Sequence, residues 1–230
     1  MELPPADIFA WAVAVVLIGA ALWPRLPRRR RPRAATPPPP GPEEKPPPVA
    51  AVNRACAIHL ETTGLTADDR IVSVGAVELI DGRLAGRPFH AIVNPERPSR
   101  PSARHKHGLS DEYLARHRPF SAIAERLRHY LGEDLLIGHN VERDRLLLDA
   151  EFERCGVPLL EQEAYCTMTT YKERYPDRRP GLAAAAAAFG LERGSSRPTA
   201  VEDAVLVAGL YQALTAGGTP AAGERPPVKP

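Results

Sequence analysis

The sequence predicts one α/β domain built on a mixed sheet, and three observations carry that reading. Three β-rich runs come first, alternating helix and strand patterns follow, and the charged, proline-rich segments lie outside both. Arg54–Thr62 (RACAIHLET) and 70–80 (RIVSVGAVELI) read as strands separated by a turn at 64–69. Asp81-Gly82 is a two-residue hairpin signal, and 88–93 supplies the third strand. Residues 119–131 and 141–155 carry helical apolar spacing. Between them the short apolar run 135–138 reads as a buried fourth strand. Six consecutive alanines within 182–189 make a strong helix former, stopped by Gly190, and 201–214 closes the domain as an amphipathic helix. Cys166 and its neighbours supply a short fifth strand. The domain so bounded, 51–215, is long enough for a substantial core.

The flanks are different in kind. Ile8 to Trp23 is an uncharged run of 16 residues. As a helix it spans about 24 Å, somewhat short of a ~30 Å hydrocarbon core, with Trp11 and Trp23 placed for the interfaces. Cleaved signal peptides carry positive charge before the apolar run. Here Glu2 and Asp7 precede it, whereas Arg25, Arg28, Arg29, Arg30, Arg31 and Arg33 follow it. The expectation is an uncleaved single-pass anchor over 1–23 in a cytoplasmic membrane. The N-terminus lies outside, the domain faces the cytoplasm, and the arginine cluster lies against anionic headgroups. Residues 24–50 form an Arg/Pro-rich linker. Eleven of the chain's 26 prolines fall between Pro24 and Pro48, which favours polyproline II and no core. Residues 216–230 have the composition of a disordered tail.

Charge and cysteine content exclude two classes of function. The whole chain carries 30 Lys+Arg against 28 Asp+Glu. Seven basic and four acidic residues fall in 1–50, so 51–230 holds 23 against 24, a net −1. The folded part is not a polycation that binds nucleic acid by bulk charge. Cys56, Cys155 and Cys166 are odd in number and lack paired spacing, which argues against a disulfide framework or a cysteine-based zinc site.

Three carboxylates carry the chemistry. Glu61 ends the first strand, Asp144 lies one turn into the helix after Gly138-His139-Asn140, and Asp203 sits in the first turn of the last helix. A strand end and two helix starts can converge on one sheet edge. Convergent carboxylates bind hard divalent cations, and two such ions can clamp a phosphodiester. Taken singly, each has a plainer reading, since acidic residues at helix starts complement the macrodipole.

In order and spacing, AIHLETTGL (57–65), LIGHNVERD (136–144) and RPTAVEDA (197–204) resemble the three motifs of the DEDD 3′–5′ exonucleases. The proofreading epsilon subunits of bacterial DNA polymerase III are the nearest in appearance. HGLSDEYL (107–114) also resembles a segment of those proteins. The resemblance implies an RNase H-like fold with a five-stranded mixed sheet and metal-dependent hydrolysis of single-stranded nucleic-acid 3′ ends with Mg²⁺ or Mn²⁺. It assigns Glu61, Asp144 and Asp203 to metal and catalytic positions. Thr62, Thr63, His139 and Asn140 fall at positions around the terminal nucleotide. Two family residues are replaced: His59 stands for the first aspartate and Pro198 for the general-base histidine, while Arg143 precedes Asp144 in place of an aromatic ring. A neutral imidazole offers one nitrogen, prefers softer metals and cannot bridge two ions as a carboxylate does. Proline offers no base. The expectation is weakened hydrolysis with His59 as a metal ligand, or else an inactive module that binds nucleic acid or a protein partner at the membrane.

Overall fold

The computed structural model describes residues 53–194 and 199–220. The anchor expected over 1–23, the linker over 24–50, Pro198 and most of the tail lie outside the described residues. Among the described residues no helix is long and apolar enough to cross a membrane.

Five strands form one sheet in the order β3-β2-β1-β4-β5: β1 (Arg54–Thr62), β2 (Ile71–Ile80), β3 (Arg83–Ile92), β4 (Leu135–Gly138) and β5 (Ala164–Cys166). The first three form an antiparallel meander, whereas β4 and β5 run parallel to β1. Among the described residues seven α-helices accompany the sheet: α1 (Pro101–His107), α2 (Asp111–Leu114), α3 (Ala124–Leu131), α4 (Val141–Cys155), α5 (Thr167–Arg174), α6 (Leu182–Ala187) and α7 (Ala200–Thr215). The mixed sheet expected from the sequence is thus present, including its fifth strand.

Alternation along β1 divides the core between the two sheet faces. Cys56, Ile58 and Leu60 pack with Leu127, Leu131, Leu148 and Phe152 of α3 and α4. Ala55 and Ala57 face the other way, onto Ala204, Val207, Ala208 and Leu210 of α7. A bidentate pair fixes α4 to the start of β2. Arg70 Nε and Nη2 donate to Glu151 Oε1 and Oε2 at 2.6 and 3.0 Å, with Glu151 almost fully buried.

Three local differences from the sequence reading have simple causes. Asp81 and Gly82 adopt positive φ (49° and 74°), so the chain reverses in two residues and β3 begins at Arg83 rather than 88. The helix expected over 119–131 is broken into a 3₁₀ turn, Phe120–Ala122, followed by α3. Helices α1, α2 and α5 carry too few periodic apolar residues to be read from sequence. Their stop and start signals are nonetheless present: Gly108 ends α1 in the left-handed region, and Ser110 caps α2 by accepting from the Tyr113 amide.

Candidate active site

β1 is the strand at which the sheet changes direction, antiparallel to β2 and parallel to β4. Its C-terminal end and that of β4 therefore open on one edge, where ligands bind in sheets of this kind. Glu61 and Thr62 lie at the end of β1, and His139 and Asn140 follow β4.

The last helix reaches this edge because of one glycine. Gly75 of β2 pairs with His59 of β1 in the ladder. A Cβ built on Gly75 would stand 2.1 Å from the carbonyl carbon and oxygen of Ala200. Only a residue with no side chain lets the first turn of α7 lie directly on the sheet at this point. That turn is closed by a capping box: Thr199 Oγ1 accepts from the Glu202 amide, and Glu202 Oε2 accepts from the Thr199 amide. Asp203, the next residue, is thereby set over His59.

The result is a compact three-residue cluster. His59 Nε2 lies 3.5 Å from Glu61 Oε1 and 3.4 Å from Asp203 Oδ2. One ligand atom from each of the three falls within 4.8 Å of the others. Both ring nitrogens of His59 are buried and lack a hydrogen-bond partner of good geometry. Asp144 lines the same pocket from the first turn of α4 but does not join the tight group.

Cations surround these acids. Lys106 Nζ stands 3.5 Å from Glu61 Oε2, and Arg193 Nε donates to Asp203 Oδ1 at 2.7 Å. Burial alone raises the Glu61 carboxyl, but His59 and Lys106 outweigh it and hold the group below its ordinary value. Burial dominates at Asp144, which is pushed up to about 7 although His59, Arg143 and Lys106 pull the other way. Arg143 does not pair with Asp144. Its Nη2 donates to the Gly64 carbonyl at 2.8 Å and to Thr62 Oγ1 at 3.2 Å.

The residues aligned with nucleotide contacts hold the loops together. Thr62 Oγ1 donates to the Gly64 carbonyl at 2.6 Å. Thr63 is fully buried and its hydroxyl donates to Asp69 Oδ1 at 2.9 Å. His139 has both nitrogens engaged, Nδ1 with Thr167 Oγ1 at 2.9 Å and Nε2 with the Pro180 carbonyl at 2.6 Å, and burial lowers its pKa. Asn140 sits in the left-handed region at φ 80° and does not cap α4 with its side chain. Leu65, at the tip of the loop after β1, is 79% exposed. Sequence reasoning did not single out Lys106, Arg179 or Arg193 as site residues. Each lies in a loop or short helix whose fold only the tertiary structure defines.

The orphaned imidazole and its two carboxylate neighbours fit one divalent ion. A mixed nitrogen and oxygen set suits Mn²⁺ or Zn²⁺ better than Mg²⁺. A second ion has no bridging carboxylate at residue 59. His59, Glu61 and Asp203 would hold the single ion, which would supply a Lewis-acid charge.

One prediction concerns Asp144 in metal-free protein. Its carboxyl titrates near 7 folded and near 3.8 unfolded, so the unfolded state loses its proton first as pH rises. Stability from this group is present below the unfolded value and is lost as pH climbs through about 7. In EDTA, Asp144→Asn is expected to raise the melting temperature by a few degrees at pH 8 and leave it unchanged at pH 4. Equal shifts at both pH values, read by calorimetry, would refute this.

A five-stranded mixed sheet with acidic side chains gathered where its central parallel strands end, under the first turn of the last helix, defines an RNase H-like domain. The RNase_T exonuclease pattern matches residues 57–211. DNA polymerase III subunit epsilon of Pasteurella multocida (strain Pm70) is 33% identical over 180 residues, covering 72% of this chain and 70% of that protein. The same subunit of Escherichia coli (strain K12) is 29% identical, covering 74% of each. The fold resembles that of exonuclease X, solved with 5′ overhanging duplex DNA, at TM-score 0.58 and 22% identity over 74% of this chain and 95% of that one. It also resembles zinc-bound Escherichia coli exonuclease I with single-stranded DNA, at TM-score 0.63 and 17% identity over 72% and 41% of the chains. The chain belongs to the RNase_T exonuclease family, the DEDD exonucleases.

Proposed function

We propose that this protein engages nucleic-acid 3′ ends at the cytoplasmic face of a membrane, with phosphodiester hydrolysis much weaker than in relatives that retain all four acids. The observation that carries the reading is the imidazole of His59 standing between Glu61 and Asp203. Family membership supports the substrate class, and the charge asymmetry about 8–23 supports the anchor. The carboxylate of Asp144 would act with the single-ion cluster, and Arg143 and the loop after β1 would position the strand. The salt links of Lys106 and Arg193 favour a companion reading, in which ends are bound and not cut.

The test uses full-length, detergent-solubilised protein with labelled single-stranded DNA and RNA, in Mg²⁺, in Mn²⁺ and in EDTA. Slow release of nucleotides from 3′ ends is expected, faster in Mn²⁺ than in Mg²⁺ and abolished by Asp144→Asn. Rapid Mg²⁺-driven hydrolysis would overturn the weakened-site reading. Activity surviving in Asp144→Asn would place the chemistry elsewhere. A domain digested by protease outside intact cells would remove the cytoplasmic placement.

A further inference from the structure

The pocket holding the acidic cluster has a volume of about 690 Å³, within the range of small-ligand clefts. Its charged lining is mostly basic: Lys106, Arg143, Arg179 and Arg193 against Asp144 and Asp203. Here Arg193 already holds Asp203, and Lys106 stands beside Glu61. Two further cations have no carboxylate partner among the described residues. Arg143 is anchored by two neutral oxygens through Nη2, which fixes the guanidinium while leaving its Nε and Nη1 without protein acceptors among the described residues. Arg179 is exposed at the rim and makes no ion pair among the described residues. A fixed guanidinium with free donors is preorganised to give charge-assisted hydrogen bonds to phosphate oxygens.

We propose that this pocket binds a phosphomonoester directly, without a divalent ion, through Arg143 and Arg179, with Lys106 and Arg193 supplying the surrounding positive charge. The group is the phosphate of a mononucleotide or of a 3′-phosphorylated strand. Its second negative charge distinguishes it from the diesters within a chain, and two unpaired guanidinium groups match that charge. The inference rests on the 3′-end reading and extends it, since side chains here take over a counter-charge that metal ions otherwise provide.

Titration calorimetry of the full-length solubilised chain in EDTA tests it, with thymidine, dTMP, and oligothymidylate bearing either a 3′-phosphate or a 3′-hydroxyl. Binding of dTMP or of the 3′-phosphorylated strand is expected without metal, and whichever binds tighter identifies the source of the phosphate. Thymidine should not bind. Arg179→Glu, at an exposed position, should weaken binding by about tenfold or more, and Lys106→Glu should weaken it in the same direction. Binding seen only after Mn²⁺ or Mg²⁺ is added would overturn the metal-free mode and leave the 3′-end reading intact. No binding of any nucleotide with or without metal would overturn both. Unchanged affinity in both charge-reversed variants, or equal affinity for thymidine and dTMP, would also overturn the proposal.

Discussion

His59→Asp combined with Pro198→His raises hydrolysis of labelled 3′ ends in Mg²⁺ by about 10²-fold or more, the usual worth of a general base alone. Residue 59 points from β1 toward α7, where its side chain reaches Glu61 and Asp203 at 3.5 and 3.4 Å. An aspartate there replaces one nitrogen with a hard carboxylate that two ions can share. Three acids then crowd one spot, so the variant should be less stable in EDTA and should gain stability when Mg²⁺ is added, as mass action requires. Thermal melts with and without Mg²⁺ read that step separately from catalysis. Pro198 lies outside the described residues, and its replacement rests on the motif resemblance. Each single change leaves one essential part missing, so the two effects should be strongly non-additive. A double variant that is stabilised by Mg²⁺ yet stays inert would show that the rest of the pocket has diverged, with Arg193 on Asp203 the first obstacle to remove.

Gly75→Val is expected to destabilise the domain by about 3 kcal/mol and to dismantle the cluster. The obstruction is backbone, the carbonyl of Ala200, and cannot rotate away as a flexible side chain would. Relief requires the first turn of α7 to lift from the sheet, which carries Asp203 away from His59 and exposes Ala204 and Val207. Gly82→Ala is the control. A Cβ there meets nothing, and only the positive φ of 74° is strained, so a cost of about 1 kcal/mol is expected. Urea denaturation measures both. A Gly75→Val protein as stable as the unaltered chain would refute this account of how α7 reaches the site.

The carboxylates were legible in the sequence because each lies at the end of a strongly patterned element. β1, β4 and α4 have apolar periods that fix their bounds within a residue, and Glu61 and Asp144 follow from them. The amphipathic pattern read over 201–214 placed Asp203 in the first turn of the last helix, as it is in α7. The partners of these acids were not legible. Lys106 belongs to a seven-residue helix with no buried residue, and Arg193 to an irregular segment, so no local pattern announces where either side chain goes. Nor could spacing show that His139 spends both nitrogens on Thr167 and Pro180, contacts made across 28 and 41 positions. The role of Gly75 was hidden for the same reason. A glycine inside a strand signals close approach of something, but only the packed structure shows that it is Ala200.

The lateness of α7 in the chain governs how the domain comes into being. The β1–β3 meander is local in sequence, yet the sheet face it presents, with Ala55, Ala57, Val77 and Leu79, finds its main cover only when residues 200–215 have been made. During synthesis that face is bare, and closing it means linking positions as far apart as 75 and 200. Long-range closure of this kind slows folding, and exposed apolar sheet invites association between nascent chains. A message truncated before codon 200 would therefore yield more than a protein lacking Asp203. It would yield a half-covered sheet prone to aggregate.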